Sequence, residues 1–216
     1  MAIGCWLLDL SFAFRIILRS IGIKIIAESF DGNPAIVFSV GKGWGYQFRK
    51  KRLAAFLYDF CNRRKGVFFS SNNKGLICFY HSEVRVPWYQ NLWDEIRVGL
   101  FAVGPIRLFP LLKRSKEIKR AQAPFGKHLH CWYLGVLSGH RDFTSSAELR
   151  NILYQESDAL GIPVLAETTI DQNKNVYERI GFQHYGNVTV NGMTTYLLIR
   201  YPKLKANSQK LITNSL

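Results

Sequence analysis

Apolar positions along the chain follow two rhythms. Over residues 48–62, Leu53, Phe56, Leu57 and Phe60 recur at helical spacing and predict an amphipathic helix. Leu92, Ile96, Leu100 and Val103 mark a second helix over 88–103. Leu108, Leu111, Leu112 and Ile118 mark a third over 106–121, and Gly104-Pro105 separates the two. Together they form a helical insertion at about 87–122. Residues 145–160 and 173–180 also carry helical spacing, closed by Gly161 and Gly181 respectively. Between the helices lie short apolar runs bounded by turn residues, which predict strands. The richest is 128–137, followed by 163–168. Two hairpins are expected: 66–71 with 76–83 around the Ser71–Gly75 turn, and 182–190 with 194–201 around Asn191-Gly192.

The N-terminal segment reads less cleanly. Residues 1–18 are apolar apart from Asp9 and Arg15, too short and too charged for a membrane span. A core strand over 12–18, or a loosely docked helix, is expected there, so 1–20 has no firm assignment. Ser20 is a candidate cap for a short helix reaching Phe30. Asp31-Gly-Asn-Pro34 is a turn signal, 35–40 fits either helix or strand, and the glycine-rich loop 41–45 lacks P-loop spacing. Strands alternating with helices and ending in hairpins predict an α/β (α+β) chain, a mixed sheet with helices packed on it. Residues 1–202 are expected to form one domain and 203–216 a flexible polar tail.

Composition narrows the partners. The chain has 216 residues and is 48% hydrophobic, enough for one sizeable core. Its net charge of +14 favours an anionic partner: a nucleotide-like cofactor, nucleic acid or an anionic membrane surface. Positive charge is densest at Arg49, Lys50, Lys51 and Arg52 and at Arg63, Arg64 and Lys65, either a solvated helix end or an electrostatic lure. No RNP-like or zinc-finger spacing is present, so nucleic acid and membrane are not the favoured partners. Cys5, Cys61, Cys78 and Cys131 form no C-x-x-C pair and read as reduced thiols of a cytoplasmic protein. His128 and His130 stand two apart with no third ligand nearby, so no metal site is expected. Phe79, Tyr80, Trp88, Tyr89 and Trp93 are core residues or the lining of an acceptor pocket, and an exposed aromatic insertion would suit a homodimer.

Chemistry concentrates in residues 128–160, a strand, a polar turn and a helix. Such a unit brings a helix N-terminus, with its unpaired N–H groups and positive dipole end, beside a strand end, where an anionic group can be held. From Trp132 onward the sequence resembles the GNAT superfamily, the Gcn5-related N-acetyltransferases. The matching residues are Tyr133-Leu-Gly-Val136 on the central strand, Arg141 in the turn, Ala166-Glu-Thr168 on the next strand, Asn173, and Tyr177-Glu-Arg-Ile-Gly-Phe182. The last element is the most specific; the earlier half agrees in its order of elements.

The resemblance implies an acyl-CoA N-acyltransferase fold and acetyl-CoA as cosubstrate, with an amine as acceptor. It implies that acetyl-CoA lies between the central strand and its parallel neighbour. Backbone of Leu134, Gly135 and Val136 would hold the acetyl carbonyl, and Arg141, Asp142, Phe143, Thr144, Ser145 and Ser146 the pyrophosphate. Asn173 would share a face with Tyr177, and Tyr177 would protonate the departing thiolate. Glu167, at a strand end facing the cleft, is the candidate base, with a structural salt bridge as the bland alternative. The turn departs from the family pattern, because Thr144 and Ser146 replace its two glycines and Asp142 adds a negative charge. Ser145 and Glu148 also fit a capping box, which would occupy N–H groups of the helix start. Two further readings therefore stand beside the enzyme: a catalytically weak or inactive binding module of the same fold, and a basic nucleic-acid or membrane-surface protein.

Overall fold

A computed structural model describes residues 3–84, 86–87, 89–90, 96, 99–136 and 143–203. The N-terminal segment is one long helix, α1 (Ile3–Ser29): of the two expectations for its apolar start, a strand over 12–18 or a docked helix, the helix forms, and it runs without a break through the short helix expected from Ser20. Within 12–18 the β-branched pair Ile16 and Ile17 is compatible with a strand. Tertiary packing decides otherwise: Ile23, Ile26 and Phe30 recur at helical spacing and are buried against the sheet, and Ser20 is exposed inside the helix rather than capping one. Gly22 permits the close approach of α1 to its neighbour, since a Cβ there would lie 2.4 Å from the Tyr58 ring. Asn33 caps α2 (Pro34–Val40), its side-chain oxygen accepting the Ala35 N–H at 2.9 Å, which settles the ambiguous 35–40 run as helix. Next is α3 (Tyr46–Arg63), tied to α1 by the Arg19 guanidinium, which donates to both Asp59 oxygens at 2.8 and 2.6 Å.

Six strands follow in chain order: β1 (Val67–Phe69), β2 (Gly75–His81), β3 (Leu129–Val136), β4 (Val164–Thr168), β5 (Gln183–Val190) and β6 (Met193–Arg200). They form one sheet ordered β1-β2-β3-β4-β6-β5, in which only β3 and β4 run parallel. A parallel pair needs a crossover, here α5 (Phe143–Leu160). Both hairpins occur as expected. Asn191 and Gly192 have φ of 49° and 75°, the two positive values that a tight primed turn requires. Between β2 and β3 the insertion contributes α4 (Pro105–Gln122). Most of the helix expected over 88–103 falls outside the described residues, and its end, Gly99–Val103, is a π-helical turn.

Each sheet face has its own cover. On one face α5 buries Leu149 and Leu153 against Ile77, Phe79, Leu129 and Val164, and α6 (Asp171–Arg179) lies beside it. On the other, α1 and α3 bury Ile26, Ala54 and Tyr58 against Leu76, Cys78 and Tyr133. Farther along that second face, α4 sets Ile118 against Val188, Val190 and Leu197. At about 25 cal/mol per Å² of apolar surface, these contacts supply most of the driving force for the fold. The far end of β6 is fastened to α5 by buried Arg200, which reaches Asp158 at 2.9 Å and lies 3.9 Å from the Tyr154 ring centre. Among the described residues, no helix is long and apolar enough to cross a membrane.

Candidate active site

One extra residue opens the site. Along the β2–β3 ladder, Cys78 faces Tyr133 and Phe79 faces Cys131, so Trp132 is a bulge on β3. A bulge bends its strand and raises the local twist. Pairing of β3 with β4 ends at that place: it runs from Leu129↔Val164 to Cys131↔Ala166 and no farther. Past the bulge β3 stays with β2, and Leu134 and Gly135 pair with Ile77 and Leu76. The two parallel strands are therefore split at their C-terminal ends, and Leu134, Gly135 and Val136 lie on the half of β3 that β4 has left. The bulge also turns Trp132 and Tyr133 to the same face as His130, toward α1 and α3.

Two cavities meet at this split. One, of about 400 Å³, reaches from the α2–α3 side to Leu134, Thr168, Asn173 and Tyr177. The other, of about 420 Å³, lies under α4 and includes Tyr80, Ile118, Lys119 and His128. Both are lined by Arg114, His130, Trp132 and Glu167. Glu167 is at the junction. Its Oε1 accepts from Gln122 Nε2 at 3.3 Å, and its Oε2 accepts from Arg114 Nη2 at 3.5 Å. Arg114 is steadied from behind by donating Nε–H to Thr195 Oγ1 at 3.0 Å. His130 Nε2 lies 3.2 Å from Glu167 Oε1, in ion-pair range but off the hydrogen-bonding direction, so this buried nitrogen has no hydrogen-bond partner. The imidazole stacks on Tyr80 with centroids 5.3 Å apart. Burial pushes the Glu167 carboxyl pKa up, but His130, Arg114 and Gln122 together outweigh it and hold the group below its ordinary value. Glu167 is thus an anion at neutral pH, accepting hydrogen bonds on both oxygens.

Tyr177 and Asn173, one helical turn apart on α6, both line the first cavity. The Tyr177 ring packs edge-on to Phe182 at 5.1 Å and is half-buried, while Asn173 is exposed. Burial pushes the Tyr177 phenol upward, so it stays protonated. At the start of α5, Phe143 and Thr144 are exposed, Ser146 is half-buried, and Ser145 is buried and donates its hydroxyl to Asn72 Oδ1 at 3.0 Å. Arg141 and Asp142 lie outside the described residues. Because α5 already begins at Phe143, Ser145 is inside the first turn and is not the N-cap of a capping box; Glu148 instead accepts the Ser71 N–H of the β1–β2 turn at 3.0 Å.

Sequence reasoning did not find Arg114 or Gln122. They stand two helical turns apart among other polar residues of α4, and only their hydrogen bonds to Glu167 and Thr195, on strands distant in sequence, show that they point inward. His130 carried a signal, a titratable ring on the central strand, but its partner Glu167 is far away in sequence. Other expectations shift. Phe79 faces α5 and stacks on Phe68, so it does not line either cavity, whereas Tyr80 does. Tyr89 is exposed, and Trp88 and Trp93 lie outside the described residues. In the basic stretch, Lys50 is buried on Asp31, Arg49 donates to the Val40 and Trp44 carbonyls, and Arg64 lies over the Phe60 ring. Those three cations fasten the fold rather than forming a free lure. Cys61, Cys78 and Cys131 are buried free thiols.

No family model matches the sequence, and no curated protein matches it. Solved structures do. A Corynebacterium glutamicum protein described as histone acetyltransferase HPA2 and related acetyltransferase superposes with a TM-score of 0.56 at 13% identity, over 87% of this chain and 93% of that one. The C-terminal condensation domain of Ebony, solved with β-alanyl-dopamine, gives 0.54 at 12% identity over 85% and 93%. Arylalkylamine N-acetyltransferase 2 from Aedes aegypti gives 0.53 at 11% identity over 86% and 94%. At such identities the likeness is one of fold: the chain has the GNAT-type acyltransferase fold, a mixed, mostly antiparallel sheet flanked by helices and split between its parallel strands.

Proposed function

We propose that the protein is an N-acetyltransferase that moves an acetyl group from acetyl-CoA to a primary amine of a small molecule or peptide. One observation carries this reading: the split between β3 and β4 opens two cavities onto a single half-buried carboxylate with a histidine nitrogen 3.2 Å from it. Acetyl transfer is served by that arrangement, because the amine needs a proton acceptor close to where it meets the thioester carbonyl.

The residues present fit acetyl-CoA. Beyond Cys131 no residue of β4 pairs with β3, so the edge of Leu134, Gly135 and Val136 is available to an acyl carbonyl. The first turn of α5, with Arg141 ahead of it, would hold the phosphates through N–H groups and positive charge. Bound there, acetyl-CoA would supply an activated acyl group and a thiol leaving group. Glu167 holds the incoming ammonium by charge and takes its proton, and His130 Nε2 at 3.2 Å adds to the polar surroundings of that carboxylate. Tyr177 keeps its proton at neutral pH and donates it toward the departing sulfur. Trp132 and Tyr80 keep bulk water from the junction by their size.

The test is release of free thiol from acetyl-CoA by the purified protein over a panel of primary amines. Amine-dependent release supports the reading, and none across the panel counts against it. Burial of Ser145 on Asn72, at a position the resemblance assigns to the pyrophosphate, favours a second reading, a binding module of weak or no activity. Binding of acetyl-CoA without turnover would mark that case.

A further inference from the structure

The charges around the junction bear on what the acceptor carries besides its amine. Among the described residues lining the two cavities, the cations are Arg114 and Lys119 and the only carboxylate is Glu167. Both Glu167 oxygens already accept hydrogen bonds from the protein, from Gln122 and Arg114. Lys119 is exposed and makes no ion pair among the described residues. An acceptor with a second positive centre, such as a polyamine, would find no acidic group for it and would meet Lys119 instead. An acceptor with a negative group near its amine would meet a cation that has no partner.

Placement supports the second case. On α4, Lys119 follows Arg114 by about 7.5 Å and precedes Gln122 by about 4.5 Å along the axis, at about 1.5 Å per residue. Along the axis its root lies between the two side chains that hold Glu167, and around the axis it stands about 60° from Gln122, so it enters the cavity from the Gln122 side. An amine seated at Glu167 leaves a group two bonds away within reach of the flexible lysine stem. The rest of the second cavity sets the rings and apolar side chains of Tyr80, Trp132 and Ile118 beside polar Ser82, Ser115 and His128.

We infer that the acceptor is an amino acid with an apolar or aromatic side chain, its amine at Glu167 and its carboxylate at Lys119. This rests on the acetyl-transfer reading above and names the substrate class for the same site. Amide formation joins the amine nitrogen to the acetyl carbon as the carbon–sulfur bond breaks. The ammonium's first proton goes to Glu167, Tyr177 donates its proton so that the coenzyme leaves as its thiol, and the second nitrogen proton, lost as the amide forms, passes through solvent to restore the Tyr177 phenol.

The experiment uses matched compounds that differ only in the carboxylate. Binding of N-acetyl-L-phenylalanine and N-acetylphenethylamine is measured by titration calorimetry, and turnover of L-phenylalanine, phenethylamine and spermidine by thiol release. The carboxylate is expected to strengthen product binding by up to about five-fold, the scale of an exposed ion pair, and Lys119→Ala to remove most of that preference. Equal or weaker binding of the acid, or turnover that favours spermidine, overturns the inference even if acetyl transfer is established. A carboxylate preference that depends on Lys119, with none of the amines acetylated, supports the pocket assignment while the acetyl-transfer reading falls.

Discussion

Replacing Glu167 with glutamine keeps the shape at the junction and removes its anion. Two separable losses should follow. The first is stability. Arg114 Nη2 is 3.5 Å from Glu167 Oε2, and the two side chains are 19% and 18% exposed. At an effective dielectric near 20, the gross attraction is about 5 kcal/mol, and desolvation of both groups offsets much of it. Removing one partner of a buried pair costs about 3–5 kcal/mol, but Arg114 keeps Thr195 and some solvent, so about 2–3 kcal/mol is expected. For a chain of this size that lowers Tm by roughly 4–12 °C. The sign of the pH dependence follows from the depressed carboxyl pKa. Its stabilisation is present above the unfolded value near 4.5 and is lost as pH falls through the lower, folded value. The Tm gap between parent and Glu167→Gln should therefore be full at neutral pH and close as pH drops below about 4.5. The second loss is catalytic: removing a general base costs about 10²–10⁴-fold in turnover. Calorimetric melts across pH and thiol-release assays measure both. A Tm gap that ignores pH refutes the ion-pair account, and turnover within a few-fold of the parent refutes the role of Glu167 as base.

Three further outcomes are expected. Tyr177→Phe should lower turnover by about 10–100-fold and leave acetyl-CoA affinity within two-fold, because the phenol acts on the leaving group and the ring keeps its packing on Phe182; equal activity in the two proteins would leave Tyr177 as packing alone. Gly66→Ala should destabilise the protein by at least about 3 kcal/mol in urea unfolding, since a Cβ there would lie 1.6 Å from the Phe79 carbonyl oxygen and the Phe79 N–H donates to Gly66; an unchanged midpoint would contradict that contact. Arg141→Glu should weaken acetyl-CoA binding in titration calorimetry by placing a negative charge where phosphate is expected, and an unchanged Kd would remove Arg141 from the site.

Much of the fold was legible where local and global signals agree. Leu53, Phe56, Leu57 and Phe60 mark α3 because one helical face meets one core, and Asn191-Gly192 marks the last hairpin because its backbone demands those residues. In α1 they disagree: its β-branched residues speak for a strand, and its burial pattern against a sheet that follows later in the chain speaks for a helix. The candidate site divides in the same way. Glu167 and Tyr177 came through motif resemblance, and both line the first cavity. Arg114, Gln122 and the pairing of His130 with Glu167 depend on contacts between residues distant in sequence. The Trp132 bulge was hidden for a related reason, since an extra residue in a strand shows only against the register of its partner.

Titration of the purified protein with acetyl-CoA by calorimetry at moderate salt tests the central claim most directly, because the split between β3 and β4 is read here as an acetyl-CoA site. One-to-one binding in the micromolar range is the expected result. No heat of binding up to millimolar acetyl-CoA would contradict it.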